Sequence, residues 1–235
     1  MLLTERDSFT FLEQVQPCFE RQDGQALLMV LWRNWPNSRL VSFLENGHTD
    51  ATKAALMCLS LTGTMHESAP IVRKLGDTDP MVATFAEHAI WSIWFRAGDR
   101  FANNNLGLAV EQVMQDAYAS AIRTLDAIVS SSPGFAEAYH QRAAARYLAG
   151  HVSLAMQDCK ATLKLNPQHF SAMTFQGHCN AIRGHRGQAV AMYEEALRVH
   201  PRYEPAHRAI AYVRGTADSA TAPHPHVRHI DRNLS

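Results

Sequence analysis

The chain has 235 residues, 46% of them hydrophobic, enough to bury a good core in one or two domains. Its 22 basic residues balance 22 acidic ones, so no global field draws it to nucleic acid or to an anionic membrane, and neither is expected as a partner. No segment approaches the roughly 18 consecutive apolar residues that span a bilayer, and the first residues lack a basic-then-apolar leader, so a soluble, cytoplasmic protein is the default expectation.

In chain order, residues 18–32 and 37–45 read as a helical pair broken at Pro36, with Leu27, Leu28, Leu31 and Trp32 forming one apolar face. Residues 48–53 then lead into Ala54, Ala55, Cys58, Leu59 and Leu61, closing at Gly63, and residues 68–75 supply a second helix. A similar segment follows 31 residues on: Asp79 and Pro80 open a helix whose stripe is Ala86, Ala89, Ile90 and Ile93. This pattern resembles HEAT-type repeats of the short, roughly 30-residue kind, over about residues 17–101 of a first domain spanning 1–101. Trp91 and Trp94 share one helix face; core packing outweighs a role as a wedge between repeat types or in ligand binding, and Trp32 and Trp35 read the same way.

From Ala136 the chain repeats itself every 34 residues. Ala143 matches Gly177, Gly150 matches Gly184, Ala155 matches Ala189, Cys159 matches Tyr193, Leu163 matches Leu197 and Pro167 matches Pro201. Small residues at the first and third pairs let two helices approach closely, the glycines can cap the first helix of each hairpin, and the prolines stop the second. A fainter copy occupies residues 102–135, with Leu108, Ala109, Ala121, Leu125, Ile128 and Pro133 in place but Asp116 where glycine is expected. Residues 204–214 begin one more first helix that has no partner. The pattern resembles the tetratricopeptide repeat family over residues 102–214, which implies three helical hairpins and a capping helix in a binding scaffold. With no alternating strand pattern anywhere, the fold class is an all-α helical-hairpin solenoid.

Chemistry-bearing motifs are scarce. Cys18, Cys58, Cys159 and Cys179 show no CxxC spacing, so buried reduced thiols are expected, not a zinc knuckle or a disulfide framework. The 13 histidines are scattered; the adjacent His178 and Cys179 point about 100° apart on a helix and do not by themselves form a base and nucleophile. No HExxH, GxSxG or phosphate-cradling glycine loop occurs, so no enzyme activity, no cofactor and no metal site are expected. Residues 215–235, with prolines, small polar residues and His224, His226 and His229, read as a disordered tail whose histidines are several times more readily solvated than metal-bound.

The resemblance places the binding face on the first helices. The candidate groove residues are Glu137, His140, Gln141 and Tyr147 from one repeat, Ser171, Thr174 and His178 from the next, and Arg208 and Tyr212 from the cap. Ala144, Phe175 and Ile182 fall in the same rows and read as space-filling between hairpins. In family members that clamp a C-terminal carboxylate, Lys and Asn occupy matching places; here His140, Ala144 and Phe175 stand there, so that chemistry does not carry over. The face suits a short peptide or partner protein held by stacking and neutral hydrogen bonds. The other reading in view is a tetrapyrrole lyase, since short HEAT-type repeats also resemble those of phycobilin lyases, although no acid and nucleophile set is evident in that half.

Overall fold

The computed structural model describes residues 5–215, and all regular structure among them is helical. The expected tail lies outside the described residues from 216 onward. The chain divides into two compact units between Trp94 and Phe95.

In the first unit, α1 (Glu5–Glu20), α2 (Gly24–Asn34), α3 (Asn37–Asn46), α4 (Thr49–Thr62), the short α5 (Ser68–Arg73) and α6 (Pro80–Phe95) follow one another through tight turns. The single helix expected over residues 18–32 is two. Gln22 takes a left-handed conformation (φ 52°), and the Asp23 carboxylate accepts from Ala26 N at 2.9 Å to start α2 afresh. The core is built on Phe11, Trp35 and Phe43, with ring centroids 4.6–5.6 Å apart, and the Trp35 indole N–H donates to Gln14 Oε1 at 2.9 Å. Trp32 overturns the expectation of core packing. Leu27 and Leu31 form the buried stripe of α2, and Trp32, rotated about 100° from Leu31, is 93% exposed. Trp91 and Trp94 are buried edge-to-face against each other at 5.4 Å.

The second unit holds α7 (Arg100–Met114), α8 (Tyr118–Ser131), α9 (Ala136–Leu148), α10 (Val152–Leu165), α11 (Phe170–Ile182), α12 (Arg186–Val199) and α13 (Glu204–Val213). They form three hairpins, α7/α8, α9/α10 and α11/α12, with α13 packed on the last. Each second helix packs on the following first helix, and α7, α9, α11 and α13 also touch in sequence, which sets the first helices side by side along one face.

The repeat residues act as their spacing requires. Gly150 and Gly184 end the first helices at φ +80° and +79°, and Asp116 adopts the same left-handed geometry (φ 57°) in the fainter copy without a glycine. Ala143, Ala155 and Ala189 are fully buried at the hairpin crossings. One crossing is solved differently in the two clear repeats. Ala143 and Cys159 share a core cluster in the α9/α10 hairpin, whereas in α11/α12 the Tyr193 ring fills the space and leaves room only for Gly177, where a Cβ would lie 2.3 Å from Tyr193 Cε1.

Candidate functional site

The first helices supply the candidate face, and the 34-residue period places Glu137 and Ser171, His140, Thr174 and Arg208, and His178 and Tyr212 in matching rows of α9, α11 and α13. The structure brings most of them together, but not as an open wall. Glu137, His140, Gln141, Ser171, Thr174 and His178 are all at most 3% exposed, Tyr147 is half-buried, and Arg208 and Tyr212 are exposed. The expectation that His140, Gln141 and His178 line an open groove is corrected: all three are buried, His140 lying against Glu137 and Ser171, Gln141 donating to Glu137, and His178 meeting Tyr193 of α12.

Glu137 is the centre of that network. Its Oε1 lies 3.1 Å from His140 Nδ1 and 2.6 Å from Gln141 Nε2, and its Oε2 lies 3.0 Å from His169 Nε2. His169, which sequence reasoning did not single out, precedes α11 and caps it: Nδ1 accepts the Ala172 N–H at 3.2 Å. An accepting Nδ1 carries no proton, so the neutral ring holds its proton on Nε2 and donates it to Glu137. Burial and then the neighbouring His140 push the His169 imidazole down to about 4, against the pull of Glu137. Burial also works against the Glu137 charge, but the attraction of His140 and the hydrogen bonds from His140 and His169 outweigh it and hold the carboxyl at about 2. Glu137 is therefore a carboxylate that accepts from three donors, linking the start of α9 to the start of the next first helix.

Ligand atoms of Glu137, His140 and His169 lie within 4.8 Å of one another, the geometry of a candidate cation site. The tautomer argues against one. A metal on His169 Nε2 requires the proton on Nδ1, where it would meet the Ala172 N–H it now accepts. The donor set fits a carboxylate held by N–H groups.

Beside this network, His178 Nδ1 lies 2.9 Å from the Tyr193 hydroxyl, and Tyr147, Phe175 and His178 pack with centroids 5.8–6.0 Å apart. Burial raises the phenol pKa values of Tyr147 and Tyr193, keeping both as hydrogen-bonding neutral rings. A second network, also unforeseen, joins three helices. Arg142 of α9 bonds Asp158 of α10 through two nitrogens at 2.7 and 3.1 Å and Asp126 of α8 at 2.7 Å, while Arg146 reaches Asp158 at 2.8 Å and Asp126 at 3.3 Å. What stays open in the candidate rows is their end: Ile182 and Tyr212 are 58% and 41% exposed, and Arg208 is exposed as well.

In comparisons with known proteins the chain is similar to proteins described as carrying tetratricopeptide (TPR) repeats. A curated TPR repeat-containing protein of Rhizobium etli is 22% identical over 125 residues, 53% of this chain, and the chain spans 61% of that relative's length. Among solved structures, the first TPR domain of Spaghetti bound to an HSP90 peptide is 19% identical, with a TM-score of 0.48 over 49% of this chain and 92% of that one. YrrB, described as a TPR protein with an unusual peptide-binding site, is 17% identical, with a TM-score of 0.44 over 86% of this chain and 98% of that one. No protein-family profile matches the chain. Among the described residues, no helix is long and apolar enough to cross a membrane.

Proposed function

We propose that the chain is a protein-interaction scaffold, with residues 102–214 as its binding part and a peptide or partner protein as its ligand. The observation that carries this reading is the row of adjacent first helices, closed at α9 and α11 by the buried network and open at Ile182, Arg208 and Tyr212. Arg208 and Tyr212 lie one turn apart on α13, with Glu204 Oε1 3.9 Å from the Arg208 guanidinium, and a guanidinium on the same helix face as an aromatic ring suits a peptide segment that offers a carbonyl or carboxylate next to an apolar residue. Glu137, His140, Gln141, Ser171, Thr174 and His178 support that surface from behind, by fixing the spacing of α9 and α11. A scaffold acting in the cytoplasm, without cofactor or chemistry of its own in this role, completes the reading.

Selection of a displayed peptide library on the full chain tests it. Enriched peptides should bind saturably, and Arg208→Ala with Tyr212→Ala should weaken them by about fivefold or more, which is about 1 kcal/mol. Peptides that bind the double variant as tightly as the parent contradict the placement of the site.

A further inference from the structure

Helix α2 buries one side and leaves the opposite side uncovered. Leu27 and Leu31 face the core of the first unit, whereas Gln25, Leu28, Met29 and Trp32 are all exposed, Met29 at 69% and Trp32 at 93%. Their spacing, i, i+3, i+4 and i+7, sets them on one face, the pattern with which one helix packs on another. Of the four only the glutamine is polar, and none is charged. The two charges of the segment lie at its ends. Asp23 caps the first turn, its carboxylate accepting the Ala26 N–H at 2.9 Å. Arg33 sits in the last turn, seven residues after Ala26, so both charges stand on the same flank of the exposed face. Arg33 forms no ion pair among the described residues.

We propose that this face of α2 is a homodimer contact, taken by the same face of a second copy of the chain running antiparallel across a two-fold axis between Leu28 and Met29. The face is self-complementary about that axis. Leu28 meets Met29 of the second copy, and Trp32 meets Gln25 of the second copy. Each indole then covers the central apolar pair, and its N–H gains the glutamine carbonyl as acceptor, as Trp35 gains Gln14 at 2.9 Å within the fold. The same register brings Arg33 of each copy to the Asp23 end of the other, two pairings of opposite charge around an uncharged centre. A parallel pair offers no such match, since the two charges then lie at opposite ends. Trp32 alone offers on the order of 200 Å² of apolar surface. The two faces together cover on the order of 1,000 Å², the low end of specific interfaces, which makes the dimer weak and concentration-dependent. The contact lies in the first unit and stands whether or not residues 102–214 bind a peptide.

Sedimentation equilibrium of the full chain from about 1 to 300 µM tests it, with tryptophan emission read in parallel. Trp35, Trp91 and Trp94 are buried, so Trp32 dominates any change in accessibility. The expected result is a monomer–dimer equilibrium in which acrylamide quenching falls as the dimer forms. Trp32→Ala should weaken association by roughly tenfold or more with circular dichroism unchanged, because so exposed a residue touches little of its own fold. Met29→Glu and Met29→Lys should each be monomeric alone and should associate when mixed, which only a second copy on this face produces. A chain that stays monomeric over the whole range overturns the proposal, as does a dimer that survives both Trp32→Ala and Met29→Glu. Met29 variants that stay apart when mixed overturn the two-fold contact. A monomer whose emission shifts only on phosphatidylcholine vesicles puts a lipid surface on the face and overturns the dimer equally.

Discussion

At the scale of single residues, the Glu137 network makes acid sensitivity a property of one contact. His169 has its pKa depressed from the usual 6.5 to about 4, so between these values the unfolded chain binds the proton that the folded chain refuses. Stability from this group is complete above about pH 6.5 and is lost as pH falls toward 4. Glu137, depressed from 4.5 to about 2, contributes above about pH 4.5 and loses that contribution below it. Both terms act in the same direction, on the order of a few kcal/mol together. Urea midpoints measured from pH 7.5 to 4.5 should therefore decline steadily, and Glu137→Gln, which removes the charge that His169 and His140 face, should be destabilised at neutral pH. A flat profile contradicts the network. A second residue-scale expectation concerns Gly177. Its Cβ-sized space is taken by the Tyr193 ring, so Gly177→Ala should cost about 1–3 kcal/mol by overpacking, read as a lowered melting temperature, and Tyr193→Phe should not rescue it because the ring atoms remain.

At the scale of elements, the hairpins are held by different chemistry on their two sides. Toward the next first helix lies the Glu137 network; between α8, α9 and α10 lies the pairing of Arg142 and Arg146 with Asp126 and Asp158. Asp158 is 3% exposed and meets both guanidinium groups, whereas Asp126 is about half exposed. Asp158→Ala should therefore destabilise by about 1–3 kcal/mol, leaving two partly buried cations short of a partner, and Asp126→Ala should fall well below that because water replaces it. Equal effects in thermal unfolding contradict this ranking. The elements themselves were legible in the chain: the positions of Gly150, Gly184, Pro167 and Pro201 marked the turns, and the small residues at 143, 155 and 189 marked the crossings. The networks were not. Period and polarity say which helix face a residue occupies, but Glu137, His169 and Ser171 come from different helices and turns, and only packed coordinates show that their polar atoms meet. For the same reason Glu137 and His140 read as groove-lining from their register, and Trp32 read as core from its place beside Leu27, Leu28 and Leu31 in one apolar face.

At the scale of the whole molecule, stacking repeats with adjacent first helices creates a surface that no single hairpin has, and the proposed role follows from that surface. The buried polar network joins α9 to the start of α11, so the proposed role places ligand contacts at the exposed Ile182, Arg208 and Tyr212, with the second-helix residues Gln157, Lys160 and Lys164 as an exposed control elsewhere. The most direct measurement is quantitative partner capture from the source lysate with three full-length baits: the parent, Ile182→Ala/Arg208→Ala/Tyr212→Ala, and Gln157→Ala/Lys160→Ala/Lys164→Ala, each confirmed as helical and of similar melting temperature. The account predicts that the first triple variant loses the captured partner by about fivefold or more while the second retains it. Loss of the partner in the second variant with full retention in the first would contradict it.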